Sequence, residues 1–199
     1  MNKLLVDEEG VKMKQKHLLA GLILGTILLT GCGSSFDSVT GNTMTIGKDG
    51  TISDVSVEDF SEGNYDMADL EAFVNAEIAD YNSEAGEDSI VLDAIDTENK
   101  LVKLQLTYSG MDDYNAFNNT EYQLEGFEDV KLSGEFTSVA DGTKVSVGDM
   151  TDSGMKVLKV EDAMNIICKG KVLYYNDNVT EDNGTYIASG DGEAIIVFK

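Results

Sequence analysis

The chain has 199 residues, with 37 acids against 14 lysines, no arginine and a net charge of −23. Phosphate contacts need Lys and Arg, so this balance argues against nucleic acid as a ligand. A single His (His17) and two Cys (Cys32 and Cys168) leave few of the usual catalytic and metal-binding sets to consider.

The N-terminal stretch Lys12–Cys32, KMKQKHLLAGLILGTILLTGC, organises the rest. Lys12, Lys14 and Lys16 make a basic start, and Leu18–Leu29 is an apolar run of twelve. A membrane-spanning helix needs about 20 apolar residues, so twelve fits the h-region of an export signal. Leu29-Thr30-Gly31-Cys32 follows at once. It resembles the bacterial lipobox: an aliphatic residue, two small residues, then the cysteine that receives lipid. The competing reading is a buried hydrophobic helix with a chance cysteine, but no other stretch is as apolar. The resemblance implies cleavage before Cys32, diacylglycerol on its sulfur, and a protein anchored at the extracytoplasmic face of the cell membrane. Two acyl chains make a stable anchor at about 0.8 kcal/mol per buried CH2, where one is marginal. Met1–Val11 carries Asp7, Glu8 and Glu9, unusual ahead of an export signal, and Met13 begins a more ordinary one. We expect translation to start at Met13, which makes residues 1–12 a misassigned extension and 13–31 the signal peptide.

Cleavage before Cys32 leaves 168 residues, the 199 less the 31 that precede it. That length suits one domain, expected over residues 42–199. Ten Lys and 34 acids remain, a net charge of −24. The acids either keep an exposed domain soluble or gather a hard cation such as Ca2+. With Cys32 lipidated, Cys168 is the only thiol left and no intrachain disulfide forms. It sits in the apolar Met164–Cys168 and reads as structural, since a reactive thiol wants a His or cationic neighbours. With His17 in the signal, the mature chain has no His, which excludes a Ser-His-Asp triad, a Cys-His dyad and His-ligated zinc.

Gly33–Gly41 reads as a flexible tether spanning roughly 17 Å. Asn42–Lys48 and Thr51–Val57 flank Asp49-Gly50, a type I′ hairpin signal. The same device is expected at Asp141-Gly142, and at Asp191-Gly192 between TYIAS and EAIIVF. Asp66–Tyr81 is the clearest helix, with Met67, Leu70, Val74, Ile78 and Tyr81 on one stripe, Phe73 beside it, and Asn64 or Asp66 as cap. Ser89–Ile95 and Leu101–Tyr108 form a hairpin across Thr97–Lys100. Within it Val102, Leu104, Leu106 and Tyr108 alternate with polar residues, as in a half-buried strand. Ser109–Asp112 looks like a capping box opening a helix to about Asn118. Met155–Val160, Met164–Cys168 and Lys171–Tyr175 read as strands, with Lys169-Gly170 a tight turn, although Met164–Cys168 also fits a helical turn. Asn176–Gly184 reads as a polar loop, and Ala194–Phe198, AIIVF, as a buried final strand. The predicted fold is α+β: antiparallel hairpins in one or two sheets, with one main amphipathic helix packed on a face.

Three further stretches, GNTMTIGKDGTI (Gly41–Ile52), AFVNAEIADYN (Ala72–Asn82) and GKVLYYNDNVT (Gly170–Thr180), together with the lipobox, resemble small lipoproteins of Gram-positive, anaerobic gut-type bacteria. The resemblance implies a surface-anchored α+β domain and carries over no catalytic or binding residue.

The most site-like stretch is Tyr108–Phe127. Tyr108, Tyr114, Phe117 and Tyr122 interleave there with Asp112 and Asp113, offering ring faces for a sugar's C–H groups and oxygens for its hydroxyls. The same spacing also makes the core edge of a short helix. Asp177, Glu181 and Asp182 form an oxygen-rich loop suited to Ca2+, without EF-hand spacing, and a solvated turn reads equally well. Paired carboxylates for a glycosidase cannot be picked out among 34 acids. The leading expectation is a non-enzymatic binding module at the cell surface whose partner is a protein or envelope component. A carbohydrate- or Ca2+-binding accessory lipoprotein comes second, and a small carboxylate-dependent hydrolase third. Neither a catalytic residue nor a cofactor beyond the diacylglycerol and Ca2+ is indicated.

Overall fold

The computed structural model of the chain describes residues 36–61, 66–96, 101–151 and 153–199. Cys32, the stretch expected to be an export signal, the residues before it and the expected turn at residues 97–100 lie outside them. The described residues form an α+β domain of two mainly antiparallel sheets and two α-helices.

The first strands, β1 (Thr43–Ile46) and β2 (Ile52–Asp59), form the expected antiparallel pair. Their turn is not type I′, which needs positive φ at both central residues. Only Gly50 has it, at 97°. Instead Asp49 Oδ1 accepts from the Thr51 amide at 3.2 Å and the Thr51 hydroxyl at 2.7 Å. The same Asp–Thr lock, with Asp141 and Thr143, closes the turn between β6 (Glu135–Ser138) and β7 (Lys144–Ser146).

The main helix, α1 (Met67–Ala85), starts where Asp66 caps the Ala68 amide at 2.9 Å and runs four residues beyond Tyr81. Leu70, Val74 and Ile78 are buried, as the stripe predicts, while Phe73 is exposed. Asn82 clamps the helix to β3 (Ile90–Asp96), bonding both the amide and the carbonyl of Ile90. The hairpin of β3 with β4 (Leu101–Tyr108) forms, with a register shift between Leu92 and Ala94. The short helix α2 (Met111–Asn118) follows, but the capping box does not form. Gly110 is the N-cap, and the Ser109 hydroxyl donates to the Asp113 carboxylate instead of capping an amide.

After β5 (Gln123–Gly126) and the β6–β7 hairpin, the C-terminal strands cross repeatedly between sheets. They are β8 (Lys156–Val160), β9 (Met164–Cys168), β10 (Val172–Tyr175), β11 (Val179–Asp182), β12 (Thr185–Ala188) and β13 (Ala194–Phe198). Sheet A runs β11-β12-β9-β1-β2-β4-β3, and sheet B runs β5-β8-β13-β10-β6-β7. Two expected turns are therefore crossovers. Lys169-Gly170 links β9 in sheet A to β10 in sheet B, and Asp191-Gly192 links β12 in sheet A to β13 in sheet B. The Asn176–Gly184 stretch is not all loop. Its second half is β11, which turns into β12 through Asn183 (φ 51°) and Gly184 (φ 83°), a two-residue type I′ turn. One pairing, β1 with β9, is parallel.

The central strand β13 explains the AIIVF run. Ala194, Ile196 and Phe198 join the main core between the sheets and helices, while Ile195 and Val197 join a second cluster with Phe136, Met150, Met155 and Val157. A strand buried on both faces reads as continuously apolar. The N-terminal segment is also more ordered than a tether. Phe36–Ser38 forms a 3-10 turn, Val39 is buried, and Lys103 Nζ donates to the Asp37 carbonyl at 2.9 Å.

Candidate functional site

The end of β4, helix α2 and the approach to β5 bring the sequence-predicted aromatics together. Tyr108 closes β4 on the core face, because it pairs with Ile52 and Ile90 in a register where inward residues are apolar. One turn into α2, the Tyr114 ring meets Tyr108 edge-on at 5.0 Å and stacks on Tyr122 at 5.7 Å. Phe117 lies 6.1 Å from Tyr108 and 5.8 Å from Tyr81. Such pairs contribute about 0.5–1.5 kcal/mol beyond their buried area.

These rings belong to the core. Tyr108 and Tyr114 are 1 % exposed and Tyr122 is 5 % exposed. A stacking surface for sugar needs open ring faces, and these three tyrosines do not offer them. The hydroxyls of Tyr108 and Tyr122 are bonded within the fold. Asn118 Nδ2 donates to the Tyr108 hydroxyl at 3.0 Å, and the Tyr122 hydroxyl donates to Asp162. Asp113 is half-buried and accepts from the Tyr81 hydroxyl at 2.9 Å as well as from Ser109, while Asp112 is exposed. Burial first, and neighbouring carboxylates second, push the phenols of Tyr108, Tyr114 and Tyr122 well above their ordinary range, so they stay neutral.

Beneath them is a residue that sequence reasoning missed. Asp54 pairs with Met44 on one side and Leu106 on the other, which places it on the core face of β2. It is 7 % exposed and takes one hydrogen bond, from the Ser56 hydroxyl at 2.8 Å. Burial raises its carboxyl from 3.8 to about 6, against the smaller lowering effect of Ser56. A raised pKa is what a general acid needs. A glycosidase-type pair needs a second carboxylate about 5–10 Å away, whereas the shift of Asp54 is an effect of burial. The available sequence signal was weak. In ISDVSVED the phase Val55, Val57 looks as apolar as the phase Ile52, Asp54, and the core takes the second.

Asp177, Glu181 and Asp182 do not converge. Asp177 pairs with Lys144 across to the β6–β7 hairpin, Glu181 accepts from the Gly184 amide at 2.7 Å, and Asp182 accepts from Asn183 at 2.7 Å. Among the described residues, no three Asp, Glu, His or Cys side chains are grouped to hold a metal ion. Burial pushes the Cys168 thiol up to about 12, so it holds no thiolate near neutral pH. No protein-family model, curated protein or solved structure matches the chain.

Proposed function

We propose that this protein is a lipid-anchored extracytoplasmic module that acts by binding a protein or envelope component at the cell surface, without catalysis. The observation that carries the reading is the register of Lys12–Cys32: a basic start, twelve apolar residues and LTGC. It ends four residues before Phe36, where the packed segment of the domain begins. The binding role is supported by how the most site-like residues are used. Tyr108, Tyr114 and Tyr122 fill the core, and Asp54 is buried on the core face of β2. The burial of Tyr108, Tyr114 and Tyr122 and the separate contacts of Asp177, Glu181 and Asp182 favour this reading over carbohydrate or Ca2+ binding.

Detergent phase partition of the full chain and of Cys32→Ala, expressed in a Gram-positive host, tests the anchor. The parent should enter the detergent phase and the variant the aqueous phase. Equal partition of the two would refute lipid anchoring. Crosslinking on intact cells then tests binding, and a discrete crosslinked species on the parent alone is expected.

A further inference from the structure

Four steps in the chain join an Asp or Asn to Gly: Asp49-Gly50, Asp141-Gly142, Asn183-Gly184 and Asp191-Gly192. Such steps share one reaction. The Gly amide nitrogen, shielded by no side chain, gives up its proton and attacks Cγ of the residue before it. Ammonia leaves from Asn, or water from a protonated Asp, and a succinimide ring forms. Water then reopens the ring, either to Asp or to isoaspartate, whose main chain runs through Cβ and Cγ. The reaction therefore needs a side chain that can turn toward the next amide, and an amide that can release its proton.

Three of the four steps are held against it. Asp49 Oδ1 accepts from the Thr51 amide at 3.2 Å and hydroxyl at 2.7 Å, while the Gly50 amide donates to the Gly47 carbonyl at 3.2 Å. Asp141 repeats this with Thr143, at 3.1 Å and 2.8 Å, and the Gly142 amide donates to the Ser138 carbonyl at 2.9 Å. The bonds from Thr51 and Thr143 also hold both carboxyls below their ordinary range, against the protonation the reaction needs. Asn183 Nδ2 donates back to Asp182 Oδ1, and the Gly184 amide donates to Glu181 Oε1, both at 2.7 Å. Asp191 is different. Its amide donates to the Ser189 hydroxyl at 3.2 Å, but among the described residues its exposed carboxylate and the Gly192 amide have no hydrogen-bond partner.

We propose that Asp191-Gly192 is the step at which the folded domain converts to isoaspartate, and that the conversion weakens the entry to β13. The step leads from sheet A into the central strand of sheet B. There Asn176 Nδ2 and Asn178 Nδ2 donate to the Glu193 carbonyl at 2.7 Å and 3.0 Å. A Cβ on Gly192 would lie 2.9 Å from Asn178 Nδ2, so the added main-chain methylene crowds this clamp.

The test ages the full-length folded protein in neutral buffer made with heavy-oxygen water, beside the same protein unfolded in guanidinium. Ring reopening leaves a heavy oxygen on the residue, and electron-transfer fragmentation of its peptides tells isoaspartate from Asp. In guanidinium Asn183 should convert first, since its neutral amide needs no protonation. In the folded chain Asp191 should lead Asn183, Asp49 and Asp141 by several-fold. Conversion at any of those three as fast as at Asp191 in the folded chain, or the same order in both states, overturns the proposal. Thr51→Ala and Thr143→Ala, checked for folding by circular dichroism, should raise conversion at Asp49 and Asp141 several-fold. Each stands in for the other if one does not fold, and no rise refutes protection by the Thr bonds. Ageing should lower the thermal midpoint of the parent and not that of Asp191→Ser; an equal change in both overturns the effect on β13.

Discussion

Replacing Asp54 with Asn should stabilise the domain at neutral pH. Asn keeps the shape and can still accept from the Ser56 hydroxyl, but it carries no charge under the tyrosines. The sign follows from the proton count. The folded carboxyl titrates at about 6 and the unfolded one at about 3.9. Between these values the folded state binds more protons, so this group's contribution to stability falls as pH rises through the window and is flat above it. A rise from 3.8 to about 6, at about 1.4 kcal/mol per unit, costs the folded parent on the order of 3 kcal/mol at pH 7. The variant must also place a side-chain amide in the site, which can cost about 1–3 kcal/mol at every pH. The informative quantity is therefore the difference between variant and parent at pH 7 minus that at pH 4, measured by urea unfolding. It should favour Asp54→Asn by about 2–3 kcal/mol, and the other acids cancel because both proteins carry them. A difference near zero, or one favouring the parent at pH 7, would refute the argument that burial controls this carboxyl.

Other consequences are as direct. Ile196→Ala empties a fully buried position at the centre of sheet B and should cost about 2–5 kcal/mol by urea unfolding; a chain ending at Gly192 should show no cooperative melt. Tyr122→Phe removes the hydroxyl that lowers the Asp162 pKa and should cost about 1–2 kcal/mol at pH 7. Because a depressed carboxyl stabilises only above its unfolded pKa, that cost should shrink as pH falls below about 4. Gly184→Ala forces a side chain into the left-handed turn at φ 83° and should cost about 1–2 kcal/mol, read as a lower thermal midpoint.

Local periodicity carried the elements well. The stripe Leu70, Val74, Ile78 gave α1 its buried face, and the alternation in Val102–Tyr108 gave β4 its inward side. The run Ala194–Phe198 announced burial, because both of its faces are covered. Sheet membership was not readable in the same way. Lys169-Gly170 and Asp191-Gly192 look like hairpin turns, but whether a chain turns back or crosses to another sheet depends on which distant strand has an open edge. The best type I′ signal, Asn183-Gly184, was hidden because β11 buries only Val179 and so reads as loop. Asp54 was hidden because β2 has two apolar phases and only packing chooses between them. The tyrosines were ambiguous for a chemical reason: a ring beside amides and carboxylates describes a sugar platform and a hydrogen-bonded core equally well.

Lipidation at Cys32 is the property on which the proposed function rests. Mass spectrometry of the N-terminal peptide, from protein expressed in a Gram-positive host and extracted in detergent, tests it most directly. The expected product is a chain that begins at Cys32 and carries the mass of a diacylglyceryl group on its sulfur. An unmodified Cys32 within an uncleaved chain, or a mature terminus at any other residue, would contradict it.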